Sequence, residues 1–166
     1  FSSFTEIARP FSFTASAIPV LSAGALAFTE NKLSIAPFMA SLAASVLLHV
    51  GTNITNEVFD VRNGIDAITS PRASQALLKG RLTEKQAFGI IFASFALASL
   101  FGVGLIAMRG WPVAALGLAG LILGYGYTAP PFQYKYRAIG LPMVFALMGP
   151  LMVMGAYYTT PGAWSW

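Results

Sequence analysis

"LSIAPFMASLAASVLLHVGTNITNEVFDVRNGID", residues 33–66, decides the fold. From Leu33 to Asn56 it carries no charged side chain, and about 20 apolar residues in a helix cross the hydrocarbon core of a bilayer. Its last part gathers the amides Asn53 and Asn56 and the carboxylates Glu57, Asp60 and Asp66. A hydrophobic segment that ends in such a cluster reads as a membrane helix delivering polar groups to one membrane face.

The rest of the chain repeats the pattern. Hydrophobic residues make up 56% of the 166 and charged residues 10%, against about 25% charged in soluble domains. Four further uncharged stretches run from Pro10 to Thr29, Gln86 to Met108, Gly110 to Tyr134 and Ala138 to Trp166. Five spans follow, and the expected fold is an all-α polytopic transmembrane bundle. No retained feature of the first segment suggests a cleaved signal peptide: it lacks a short apolar core and a small-residue cleavage site. Cysteine is absent, which excludes disulfides and thiol chemistry.

Nine of the 16 charged residues lie between Glu57 and Lys85. With a cytoplasmic N-terminus, Arg9, Arg62, Arg72, Lys79, Arg81, Lys85, Lys135 and Arg137 fall inside and only Lys32 and Arg109 outside, as the positive-inside rule requires. The second helix is expected over about 35–60, with Gly64 ending it. Thr83 is placed to cap the third ahead of Glu84. Pro19, Pro142 and Pro150 are expected to kink their spans, which bundles tolerate where neighbours satisfy the freed carbonyls. Runs such as "GLAGLILGYGY" suit close helix packing.

On the second helix Asn53, Asn56 and Asp60 are spaced i, i+3, i+7 and share one face. Glu57 flanks them, and His49 reads as a packed helix histidine one turn deeper. Asp66 is expected on the loop, folded back over the helix end. Amide and carboxylate oxygens are hard ligands suited to Mg²⁺, which commonly bridges to phosphate oxygens. Zinc and haem are disfavoured by the lack of Cys and the single His. A solvated helix cap would account for Asp66 and Glu57, but not for amides reaching inward to Asn53. Polar groups at membrane depth are costly and mark function. Arg72, Lys79 and Arg81 on the loop, and Lys135 and Arg137 in "YTAPPFQYKYR", bring cations to the same face. Arg81 and Lys85 read as membrane anchors, whereas Arg72 and Lys135 suit a diphosphate, since basic side chains bind phosphate oxygens. Acidic metal ligands facing basic groups at the mouth of an apolar bundle describe a site for a lipid diphosphate.

"NITNEVFDVRNGID" resembles the first Asp-rich motif of the UbiA-type intramembrane prenyltransferases. Its second aspartate six positions after the first is similar to the menaquinone branch, which prenylates dihydroxynaphthoate. "RPFSFTASAIPVLSAGALAF", "KGRLTEKQ" and "YTAPPFQYKYRAIG" resemble the family's first helix, the entry of its third and its loop after the fourth, and "GPLMVMGAYY" resembles the fifth helix of the same branch. The resemblance implies a Mg²⁺-dependent transfer of a polyprenyl group from its diphosphate to an aromatic quinone precursor. Asn56, Asp60 and Asp66 would hold the metal. Arg9, Arg72, Lys79 and Lys135 would meet the diphosphate, and Asn53 and Tyr127 would line the substrate pocket. Partners are then the two substrates and the bilayer, with no nucleic acid, and the location is the bacterial inner membrane.

Family members have about nine helices and a second Asp-rich motif after the fifth. No acid follows Glu84 in this chain, so the 166 residues are expected to be a single prenyltransferase-like domain, incomplete at both ends, that supplies the first five helices. Two readings follow: part of a prenyltransferase, or a catalytically incomplete scaffold or lipid-binding subunit associated with other membrane proteins.

Overall fold

The computed structural model describes residues 3–65, 76–137 and 139–160. Every regular element among them is helical: α1 (Ser3–Ala8), α2 (Thr14–Thr29), α3 (Ile35–Arg62), α4 (Glu84–Arg109), α5 (Trp111–Gly126), α6 (Gly140–Ala146) and α7 (Met152–Thr159). Short 3₁₀ turns at Pro10–Ser12 and Tyr134–Tyr136 and a π-helical turn at Leu147–Leu151 join them.

Glu6–Thr29, Ile35–Arg62, Glu84–Arg109 and Gly140–Thr159 are long and apolar enough to cross a membrane. The fifth apolar helix, α5, has only 16 residues, or about 24 Å at 1.5 Å per residue. The uncharged stretch that contains it is longer, but Pro130 and Pro131 cannot donate helical hydrogen bonds, and the chain leaves the helix before them. Large apolar side chains point outward, as lipid requires: Phe92 is 77% exposed and Leu141 82%.

Helix ends follow local chemistry. Thr83 and Gln86 form a reciprocal capping box at the start of α4. At the end of α3, Gly64 takes a left-handed conformation (φ 69°) and Ile65 donates to the Asp60 carbonyl at 2.9 Å, a closure that only glycine adopts without strain. Of the three prolines expected to kink, Pro19 and Pro150 lie within helical segments, with non-helical backbone at Gly149 beside Pro150. Pro142 does not interrupt its helix. It stands in the first turn of α6, where no intrahelical donor is lost.

α3 is the centre of the bundle and packs against α1, α2, α4, α5 and α7. Ile54, Val58, Ala87 and Ile91 form its core with α4, and Ile7 and Ala8 close it from α1. Charged groups separate to opposite ends. Arg9, Arg62, Arg81 and Lys135 pair at one end, while Lys32 pairs with Glu30 and Arg109 donates to the Thr159 carbonyl at the other. That partition is the one the charge pattern requires.

Gly51 lets α4 approach, because a Cβ there would stand 2.4 Å from the Phe95 ring. Gly51→Ala should therefore destabilise the bundle by ~1–3 kcal/mol through overpacking. Thermal melting in detergent is expected to show the loss, and Phe95→Leu in the same chain to restore most of it.

Candidate functional site

The polar end of α3 meets two sets of partners. One side of the helix faces the N-terminal segment. Arg9 Nη2 donates to Glu57 Oε2 at 2.6 Å, and Glu57 is fully buried. One turn deeper, Asn53 Nδ2 donates to the Ala8 carbonyl and to Ser12 Oγ, both at 2.9 Å. A turn below that, His49 Nε2 lies 3.1 Å from the same hydroxyl, with the ring edge-on to Phe13. Arg9 reaches Glu57 from a left-handed backbone conformation (φ 54°), which costs a non-glycine residue roughly 1–2 kcal/mol. Ser12 steadies that turn, donating to the Arg9 carbonyl through both its amide and its hydroxyl.

The adjoining row on α3 faces the loop between α5 and α6. Asp60, 3% exposed, accepts from Lys135 Nζ at 2.5 Å and from Tyr136 Oη at 2.7 Å. Asn56 Oδ1 accepts from Thr128 Oγ1 at 2.8 Å. The Lys135 ammonium also lies 6.0 Å from the Tyr127 ring centre and 5.8 Å from that of Tyr136, within cation–π range. Tyr127 packs edge-on to Tyr134, whose hydroxyl donates to the Leu123 carbonyl. Burial raises the pKa of Tyr127, with the charge of Asp60 adding to it, and pushes Tyr134 up to about 12. Both remain neutral phenols.

Asp60 stands in the last turn of α3, where the carbonyls of the helix end already carry partial negative charge. Such a carboxylate needs a cation, and the fold supplies one to each acid: Arg9 to Glu57 and Lys135 to Asp60. The stripe of amides and acids is thus shared between the two flanks. Asn53 belongs with the N-terminal segment, and Asn56 and Asp60 with the loop.

Lys79 is exposed in the turn at 76–80 and makes no hydrogen bond or ion pair with Asn56 or Asp60. Asp66 and Arg72 lie outside the described residues. Arg81 pairs with Glu6 at 2.7 Å and Arg62 with Glu84, so these surface cations brace helix ends. Three contributors are not evident from spacing. Thr128 and Ser12 orient Asn56 and Asn53, and Tyr136 is the second donor to Asp60. Only Tyr136 has a local signal, since it neighbours Lys135 on one tight turn.

For a divalent cation, the described residues offer hard oxygens from Asp60 and Asn56 on successive turns, with a cationic ammonium already seated on Asp60. Donor chemistry of this kind fits Mg²⁺. Among the described residues no group of three or more His, Asp or Glu side chains gathers to hold a metal.

The described residues thus form a helical membrane bundle with paired acids and cations at the polar end of its central helix. Residues 16–166 match the UbiA prenyltransferase family, and the chain belongs to that family. It is 30% identical over 153 residues to the 1,4-dihydroxy-2-naphthoate octaprenyltransferase of Bacillus subtilis, covering 92% of this chain and 49% of that protein. It is 27% identical over 161 residues to the 2-carboxy-1,4-naphthoquinone phytyltransferase of Synechocystis, covering 95% and 51%. With UbiA prenyltransferase domain-containing protein 1 of Gallus gallus it shares 31% over 166 residues, covering 93% and 46%. The chain spans about half the length of these curated relatives.

Glu57 depends on Arg9 for its burial. Arg9→Met should cost ~3 kcal/mol or more, because removing one partner strands a buried charge. Arg9→Met/Glu57→Gln should recover most of that loss, read as melting temperature in a double-mutant cycle.

Proposed function

We propose that the protein transfers a polyprenyl group from its diphosphate to an aromatic quinone precursor of the naphthoate type, in the bacterial cytoplasmic membrane with the N-terminus inside. One observation carries this reading. On the central helix of a UbiA-family chain, Asp60 is buried, bonded to a lysine and a tyrosine, and one turn from Asn56. The names of the relatives support naphthalene-ring acceptors.

In this reading Asn56, Asp60 and Asp66 would hold Mg²⁺. The ion, when bound, supplies Lewis-acid polarisation of the diphosphate and a template for it. Thr128 donates to the amide oxygen of Asn56 and so fixes its orientation on the helix face. Lys135 contributes positive charge where the leaving diphosphate develops negative charge, and Arg9, Arg72 and Lys79 add to that field. Asn53 holds the N-terminal segment that carries Arg9 and so shapes the pocket wall. As the allylic C–O bond breaks, the diphosphate departs with its electron pair, a ring carbon supplies the pair for the new C–C bond, and that carbon then sheds the proton or carboxylate it carried to restore the aromatic ring. Tyr127 and Tyr136 offer π faces to the cationic carbon. The hydrocarbon tail finds apolar surroundings among the helices. A cavity of about 490 Å³ there is lined by Leu48, Ala98, Leu105, Leu116, Leu121 and Met152. Leu48 lies about 18 Å along α3 from Asp60.

Membranes containing the full-length protein, supplied with polyprenyl diphosphate, Mg²⁺ and a panel of naphthoate and benzoate acceptors, should form the prenylated ring. Chelation of Mg²⁺ should stop it, and Asp60→Ala should lower the rate by about 10²-fold or more. An Asp60→Ala variant as active as wild type, or no transfer to any acceptor, would leave the scaffold or lipid-binding reading in its place.

A further inference from the structure

Lys135 does more in this fold than supply a positive charge. Its ammonium sits on Asp60 Oδ2 at 2.5 Å, while Tyr136 holds Oδ1 at 2.7 Å and Thr128 holds Asn56 Oδ1 at 2.8 Å. The oxygens suited to a divalent cation are therefore already engaged, and the strongest of these contacts is an ion pair. The same ammonium lies close to the faces of Tyr127 and Tyr136. One side chain thus stands where two other positive centres would act: a metal ion at the carboxylate and an allylic cation at the aromatic faces.

We propose that Lys135 is a cation placeholder that makes metal and diphosphate bind as one unit. Without a diphosphate, the ammonium neutralises Asp60 and a metal ion must displace it. A diphosphate carries more negative charge than a single carboxylate, and the flexible four-carbon stem of lysine lets the ammonium turn to meet it. Asp60 is then released to the metal, and the Tyr127 and Tyr136 faces are uncovered. Coupling of this kind is reciprocal: whatever factor diphosphate adds to metal affinity, metal adds to diphosphate affinity. The inference rests on the reading of Asp60 and Asn56 as metal ligands, and it adds the order in which their ligands become available.

The test counts bound Mn²⁺ by electron paramagnetic resonance on the purified full-length protein in detergent, with and without inorganic pyrophosphate. Wild type should bind Mn²⁺ weakly alone and about tenfold more tightly with pyrophosphate, after correction for the complex formed in free solution. The deciding arm contains metal alone. There Lys135→Met and Lys135→Gln should each bind Mn²⁺ about tenfold more tightly than wild type. Lys85→Met, which removes an exposed cation of the same membrane face, should leave that affinity unchanged. Lys135 variants no tighter than wild type overturn the proposal, as does equal tightening in Lys85→Met, which would mark a general electrostatic effect. If the Lys135 variants do not fold, the wild type decides: Mn²⁺ affinity unmoved by pyrophosphate overturns the coupling. Wild type that binds no Mn²⁺ under either condition, like Asp60→Asn, removes the metal reading itself and the placeholder with it.

Discussion

Two carboxylates are buried one turn apart at the negatively polarised end of α3, and each needs a positive partner brought from elsewhere in the chain. Glu57 takes Arg9 from the N-terminal segment, and Asp60 takes Lys135 from the loop after α5. An isolated buried charge costs several kcal/mol, so these pairings constrain everything around them. They draw the N-terminal segment onto α3 through a left-handed turn at Arg9. They also pull the α5–α6 loop across the bundle, so that residues distant in sequence converge on four turns of one helix. The amides follow the same division, with Ser12 holding Asn53 and Thr128 holding Asn56.

The two pairs differ in character. Around Glu57 the contacts are closed and local, and they tie down a chain segment. Around Asp60 the partners are a flexible lysine and a tyrosine, neighbours on the loop after α5. The two acids thus sit on neighbouring rows of one face of the helix, Glu57 tied to the N-terminal segment and Asp60 to the loop, and Asn56 belongs with the second.

The membrane character of the fold is legible from charge spacing alone, because a run of 20 uncharged residues has few other places to go. The α3 terminus at Gly64 and the cap at Thr83 are legible for a different reason: both depend on chemistry within one turn. Pro142 and the length of α5 are less so, since they turn on where a helix starts or stops relative to its prolines. Asp60, Asn56 and Lys135 stand out as residue types that lipid rejects. The split of the stripe was hidden, because periodicity places Asn53 and Asp60 on one face and says nothing of the neighbour each meets. Thr128 and Ser12 are ordinary hydroxyls in sequence, and their importance comes only from long-range contacts.

The length of α3 has a consequence for how the proposed lipid diphosphate would reach the site. Its 28 residues extend about 42 Å, while the hydrocarbon slab is about 30 Å thick. The polar last turns therefore overhang the slab and lie at the level where lipid headgroups float. An amphiphile with a charged head and a long tail meets them at its own equilibrium depth, without rising into water or sinking its charge into oil. Encounter becomes a search in two dimensions across the leaflet, and the helix overhang sets the height at which that search succeeds.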